Sequence, residues 1–246
     1  MQNEIVVSLM FLMAAFLYSS VGHAGASGYL AVMALMGFSP DSMRPMALTL
    51  NVVVASIATF KFWRAGCFSW RIFWPFAITS IPFSYLGGGL SVPDMVYKPL
   101  VGCTLLYAAI RLLFDGEKFN SISTKSLHPL MACLLGSVIG LLSGLTGVGG
   151  GIFLTPLLLF MGWAQPRQAA GVSALFILVN SLSALSGMAQ DIPVVLPGIG
   201  FHIVAVVIGG LIGSEYGSRH FSNPTLRKIL AVVLVIAGGK MLAVLI

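Results

Sequence analysis

Between its few charges the chain runs in long apolar stretches, and the two longest, Ile5 to Pro40 and Pro129 to Pro166, hold no Asp, Glu, Lys or Arg. Further charge-free runs cover 45–60, 72–93, 99–110, 168–190, 192–214 and 229–239. A helix that spans a bilayer needs about 20 such residues, and shorter runs gain a turn from Lys or Arg snorkelling at their ends. Only 8% of the residues are charged while 58% are hydrophobic, and a soluble chain of this size has no way to hide that much apolar surface. The expected class is an all-α polytopic membrane protein in a lipid bilayer.

The net charge of +6 does not point to nucleic acid, because the basic residues sit in short loops between apolar spans and on no single face. Cys67, Cys103 and Cys133 lie far apart without metal-ligand spacing, so no metal, cofactor or disulfide is expected. The leader Met1-Gln2-Asn3-Glu4 carries an acid where a signal peptide needs basic residues. The segment that follows also has an internal counterpart, so it is read as structure.

That counterpart appears when Gly22-His23-Ala24-Gly25-Ala26-Ser27-Gly28-Tyr29-Leu30 is set beside Gly144-Leu145-Thr146-Gly147-Val148-Gly149-Gly150-Gly151-Ile152, where three glycines coincide at an offset of 122. Downstream, Gly37-Phe38 matches Gly162-Trp163, Arg44 matches Arg167 and Thr49 matches Ser173. The polar joint from Asp115 to Leu127 divides the chain into a first repeat, 1–114, and a second, 128–246. Each repeat opens with a run too long for one crossing and too short for two. The glycine cluster inside it predicts helix, break, short helix, the second piece being re-entrant or one arm of a short hairpin.

Loop charges test this. If each broken run crosses once, the cations split seven against six between the two sides. If each returns to its starting side, Lys61, Arg64, Arg71, Arg111, Lys118, Lys125, Arg167, Arg219, Arg227 and Lys228 oppose Arg44, Lys98 and Lys240, ten against three. The second split obeys the positive-inside rule. It gives each repeat an odd number of crossings, so the repeats are inserted with inverted topology, the plan of many secondary transporters. Both termini are then expected outside the cytoplasm and the 115–127 linker inside.

Glycine runs let a ligand reach backbone amides, and a helix that starts after one presents unpaired N–H groups and a positive dipole end. Two such starts, after Gly28 and Gly151, would form a site for a small anionic solute without a buried Arg or Lys. Its expected residues are His23, Ala24, Gly25, Ala26, Ser27 and Gly28 in the first break and Thr146, Gly147, Val148, Gly149, Gly150 and Gly151 in the second. Thr49, Asn51, Ser173 and Asn180 join them from neighbouring helices, against the plain alternative of helix-to-helix hydrogen bonding. Arg44 and Arg167 are read as topology anchors. Proton coupling is open, with His23 and His202 the histidines inside apolar runs. The glycine runs 136, 140, 144 and 209, 213, 217 are read as stripes for close helix packing.

The paired breaks, Gly147-Val148-Gly149-Gly150-Gly151 with Pro156 a turn later, and Ala170-Gly171-Val172-Ser173 on the next helix, resemble the sulfite exporter TauE/SafE family of membrane transporters. The first copy departs, with Gly25-Ala26-Ser27-Gly28 and no following proline. The resemblance spans nearly the whole chain and implies export of sulfite or a sulfur-containing organic anion across the inner membrane. A channel or an importer of the same solutes shares the site physics. An intramembrane serine protease using Ser27, with His202 as base, is the rival from another class; no enzyme activity is expected. The oligomeric state is left open.

Overall fold

The computed structural model describes residues 2–91, 93–114, 126–188, 199–219, 234–236, 238, 239 and 242. Among these residues every regular element is a helix: α1 Gln2–Ser19, α2 Ala26–Met36, α3 Pro40–Arg64, α4 Trp70–Gly89, α5 Asp94–Phe114, α6 Pro129–Thr146, α7 Gly151–Phe160, α8 Pro166–Gly187 and α9 Ile199–Arg219. Four of them, over Asp41–Arg64, Pro129–Thr146, Pro166–Gly187 and Ile199–Ser218, are long and apolar enough to cross a membrane. The expected linker, apart from Ser126 and Leu127, lies outside the described residues, as do Asp191, Arg227, Lys228 and Lys240.

The helices are apolar on the outside and small on the inside. On α6, Leu130, Leu134 and Val138 recur every four residues and are exposed, whereas Gly136, Gly140 and Gly144 face the carbonyls of Phe76, Ser80 and Ser84 on α4. The same device joins α9 to α1, where Gly209, Gly213 and Gly217 face the carbonyls of Leu12, Phe16 and Ser20. In a lipid phase, apolar side chains gain little by leaving the tails for each other, so helices associate through close backbone approach and through hydrogen bonds such as Thr79 Oγ1 to Cys133 O at 2.7 Å.

Among the described residues two large hydrophobic cores form, with two small clusters beside them, and neither large core follows the division of the sequence. One joins α1, α2, α3 and α5 with Val148, Ile152 of α7, Ile177 of α8 and Val206 of α9. The other joins α6, α7 and α8 with Ile72, Phe73, Phe76 and Ala77 of α4. Each half of the chain therefore lends its fourth helix to the core of the other, and α3 packs on α8 where the cores meet.

Both short helices turn back on the helix before them. Gly28 of α2 lies against Ala14 and Tyr18 of α1, and the Tyr29 ring meets Phe11 edge-on with centroids 5.2 Å apart, so advancing along α2 means retreating along α1. Gly150 likewise faces Ser143 and Ile139 of α6. At 10 and 11 residues, these pieces reach only about 15 Å.

Basic residues collect at one end of the bundle. Lys61 near the end of α3 pairs with Glu215 of α9, the Cys67 carbonyl in the α3–α4 turn rests on Gly171 of α8, and Arg167 of α8 lies close enough to act on Cys67. Trp70 stacks on Trp74 in the same turn region, both half-exposed, as interfacial aromatics do.

A bulky side chain in a stripe must separate two backbones. Gly140→Leu is expected to lower stability by about 1–3 kcal/mol or more, read as an earlier thermal unfolding of the detergent-solubilised protein. Gly200→Leu, where a Cβ meets nothing, leaves the midpoint nearly unchanged.

Candidate functional site

Both helix interruptions lie where the two cores meet, and the second is the more open in chemistry. α6 ends on Gly147 and α7 starts after Gly150, with Gly147, Gly149 and Gly150 at φ near 80°. That region is unfavourable for any residue with a Cβ. Space forbids one too: a Cβ on Gly149 would lie 2.8 Å from Asn51 Nδ2 and from Ile177 Cγ2, and 3.0 Å from Ser181 Oγ. The missing side chain is what lets α3 and α8 bring polar atoms onto this backbone.

Those polar atoms are buried and incompletely bonded. Asn51 donates from Nδ2 to Val148 O at 3.3 Å, and Asn180 donates from Nδ2 to Phe176 O at 2.8 Å. Among the described residues, Asn51 Oδ1, Asn180 Oδ1, Ser143 Oγ and Ser181 Oγ have no hydrogen-bond partner, although all four side chains are 0% exposed. Membrane helices normally pair such groups, because leaving one unmade costs about 1–3 kcal/mol. Here Asn51, Ser143 and Ser181 line one glycine turn, and Asn180 neighbours Ser181 on α8. Beside them, the first N–H groups of α7 have no acceptor within their own helix and carry its positive dipole end. The serine hydroxyls and the α7 N–H groups can donate to a ligand, whereas the unpaired Oδ1 atoms of Asn51 and Asn180 only accept.

Arg44 corrects the expectation of a site without a buried cation. It is 7% exposed and donates from Nη1 to Leu90 O at 3.0 Å and from Nη2 to Gly87 O at 2.8 Å and to Gly88 O. These are the last carbonyls of α4, which a helix cannot satisfy itself. The side chain passes over Gly147, where a Cβ would lie 3.1 Å from Arg44 Cγ. Arg44 thus caps α4 beside the break instead of serving as an interfacial anchor. Two turns along α3, Asn51 touches the same break.

The first interruption is filled from within. Gly25 caps α2 at φ 110°, and the Tyr29 hydroxyl donates to Ala24 O at 2.7 Å. Ala24, Ala26, Ser27 and Tyr29 are buried. At the offset of 122 Tyr29 aligns with Gly151, so a ring stands in the first segment where the second has a glycine whose Cβ position is closed by Ile177. His23 connects the two turns, with Nε2 3.1 Å from Gly151 O and Nδ1 3.2 Å from Val21 O.

Other expected residues are spread out. Thr146 Oγ1 donates to Leu142 O and accepts from Val148 N, ending α6. Ser173 shares a 2.7 Å hydrogen bond with Thr155 of α7, a partner that sequence reasoning passed over. Thr49 donates to Pro45 O on its own helix, so its match to Ser173 in the repeat does not extend to its bonding. His202 faces Ser8 Oγ at 2.8 Å and packs on Phe11; the protease reading loses its base to the α1–α9 contact. Ser143 and Ser181, absent from the expected set, are the additions. Ser143 one turn before Gly147 is the only signal the sequence carried for it.

Tyr29→Phe leaves Ala24 O without its donor and is expected to cost about 1–3 kcal/mol, measured by thermal unfolding in detergent.

Residues 7–241 match the family described as Sulfite exporter TauE/SafE. A probable membrane transporter protein of Sinorhizobium fredii is 42% identical over 246 residues, covering 98% of each chain. A probable membrane transporter protein of Bacillus subtilis is 23% identical over 97% of this chain and 100% of its own, and one of Methanocaldococcus jannaschii is 28% identical over 82% and 80%. No solved structure matches.

Proposed function

Because the chain belongs to the sulfite exporter TauE/SafE family of membrane transporters, we propose that it is a secondary transporter exporting a small anion, sulfite or a sulfur-containing organic anion, from the cytoplasm. The observation that carries this reading is the pair of buried serine hydroxyls without a partner beside the glycine turn, Ser181 against Gly149 and Ser143 against Gly150, together with the Asn51 amide nitrogen that reaches the same turn. An anion held there accepts from Ser143, Ser181, the Asn51 amide and the first N–H groups of α7. It borrows positive potential from the helix start and from Arg44. The Arg44 Nη1 and Nη2 donors are engaged with α4, so the anion meets chiefly the field of the guanidinium and not its two-pronged clamp, and release stays easy. A potential that is negative inside drives a monoanion outward by about 2.3 kcal/mol per 100 mV.

We further infer that 1–114 and 128–246 are inverted copies. The packing supports this: α1 lies on α9 as α6 lies on α4, and α9 on α3 as α4 on α8. The gathering of Lys61, Arg64, Arg71 and Arg167 near one end supports a cytoplasmic face there and termini on the other side of the inner membrane. Because the cluster is fully buried, solute reaches it only when the two cores part, on one side and then on the other. The channel reading needs a continuous path, which four side chains at 0% exposure do not favour.

Proteoliposomes loaded with sulfite are expected to release it, and Ser181→Ala to raise the half-saturating concentration about tenfold, the equivalent of a hydrogen bond of roughly 1.5 kcal/mol to a charged group. Gly150→Leu abolishes release. Folded protein that releases neither sulfite nor sulfoacetate would refute the substrate class. For topology, Ser121→Cys, with Cys67, Cys103 and Cys133 replaced, should resist membrane-impermeant thiol reagents applied to intact cells. Rapid labelling would invert the orientation.

A further inference from the structure

His23 has a hydrogen-bonding problem that one proton solves. Its Nε2 faces Gly151 O at 3.1 Å and its Nδ1 faces Val21 O at 3.2 Å, and both partners are carbonyl oxygens, which only accept. A neutral imidazole has one N–H and one lone pair, so in either tautomer one ring nitrogen points its lone pair at an oxygen; only imidazolium donates to both. Val21 belongs to the first turn and Gly151 opens α7 in the second. The ring is half-buried, so protons can reach it.

We propose that His23 is a proton-binding site of the transport cycle, and that its protonated form clasps the first helix interruption to the second. The inference rests on the transporter reading and adds to it the identity of a coupled ion. Below its titration midpoint the imidazolium holds Gly151 and adds a positive charge next to the α7 start, so proton and anion bind cooperatively. As pH rises through that midpoint, one of the two bonds is lost, the clasp loosens and anion affinity falls. By linkage, bound anion in turn strengthens proton binding at His23. A proton that accompanies a monoanion cancels its charge, so flux in the protonated form gives up the voltage drive that acts on the anion alone and depends on the solute and proton gradients instead.

Tyr18 of α1 has its ring centroid 6.5 Å from that of His23, and Tyr29 of α2 bonds the neighbouring Ala24 carbonyl. Gly151 of α7 and Ile177 of α8, which meet beside the ring, bring none. Arg167 lies one turn before Ala170, on which Gly22 rests, and Arg44 of α3 lies against Gly147.

The test has two arms, each comparing wild type with His23→Gln across pH. Hydrogen–deuterium exchange of the purified protein reads the amides of 148–153 without any solute, after correction for the intrinsic pH dependence of exchange. Wild type is expected to lose protection by at least about fivefold, the lower range of coupling between sites, in one step as pH rises, and His23→Gln to show no step. Tyr29→Phe, which disturbs the turn but keeps the imidazole, retains the step. The same profile in wild type and His23→Gln overturns the proposal. In the second arm, the half-saturating concentration for efflux of methanesulfonate, whose charge is constant over this range, and of sulfite should rise with pH only in wild type. A pH dependence identical in the variant also overturns it. If neither solute moves while the exchange step is present, the proposed substrate fails and the clasp stands.

Discussion

A backbone amide that hydrocarbon cannot solvate has to find its partner inside the protein, and this obligation governs every irregular part of the fold. Continuous helices meet it alone. The turns between α1 and α2 and between α6 and α7 cannot, so they are found only where α3, α8 and the opposite turn enclose them. The terminal carbonyls of α4 meet the same obligation through Arg44. A guanidinium is suited to this because its planar fork can serve several acceptors at once. The charge it brings into the apolar interior is offset by the negative end of the helix dipole.

The two turns discharge the obligation differently. The first is self-contained: Tyr29 fills it with a ring and bonds Ala24 O, leaving little for an outside molecule to do. The second keeps glycine wherever a side chain would intrude and, among the described residues, leaves the Ser143 and Ser181 hydroxyls and the Asn51 and Asn180 amide oxygens without protein partners. The two glycine segments share their spacing, yet a tyrosine at 29 against a glycine at 151 gives them different chemistry.

Much of this could be read from the residues in order. Charge-free runs require spanning helices, and glycine every fourth residue requires close neighbours; both depend on local spacing, which sequence displays. The family likewise rests on contiguous motifs such as Gly147 to Gly151. What escaped was set by distant pairing. Arg44 looks interfacial until residues 87, 88 and 90 are seen to end beside it, and nothing near position 44 announces them. Ser143 and Ser181 look like ordinary helix serines until Gly149 and Gly150 come between them. Thr49 and Ser173 match in the repeat, but Ser173 has Thr155 opposite it, while Met33 occupies the corresponding place in the first copy. The exchange of α4 and α9 between cores is a topological fact with no local signature at all.

That exchange has a mechanical meaning. The chain leaves one core after α3, traverses the other as α4 and comes back in α5, so two short connections join the cores at opposite ends of a single strut. Tethers a few residues long allow only about 3.5 Å of reach per residue, which forbids wide separation at either end. They do not resist a tilt in which one rim narrows as the other widens. In the proposed transporter a rocking of that kind would pivot on the α3–α8 crossing, beside the glycine turn.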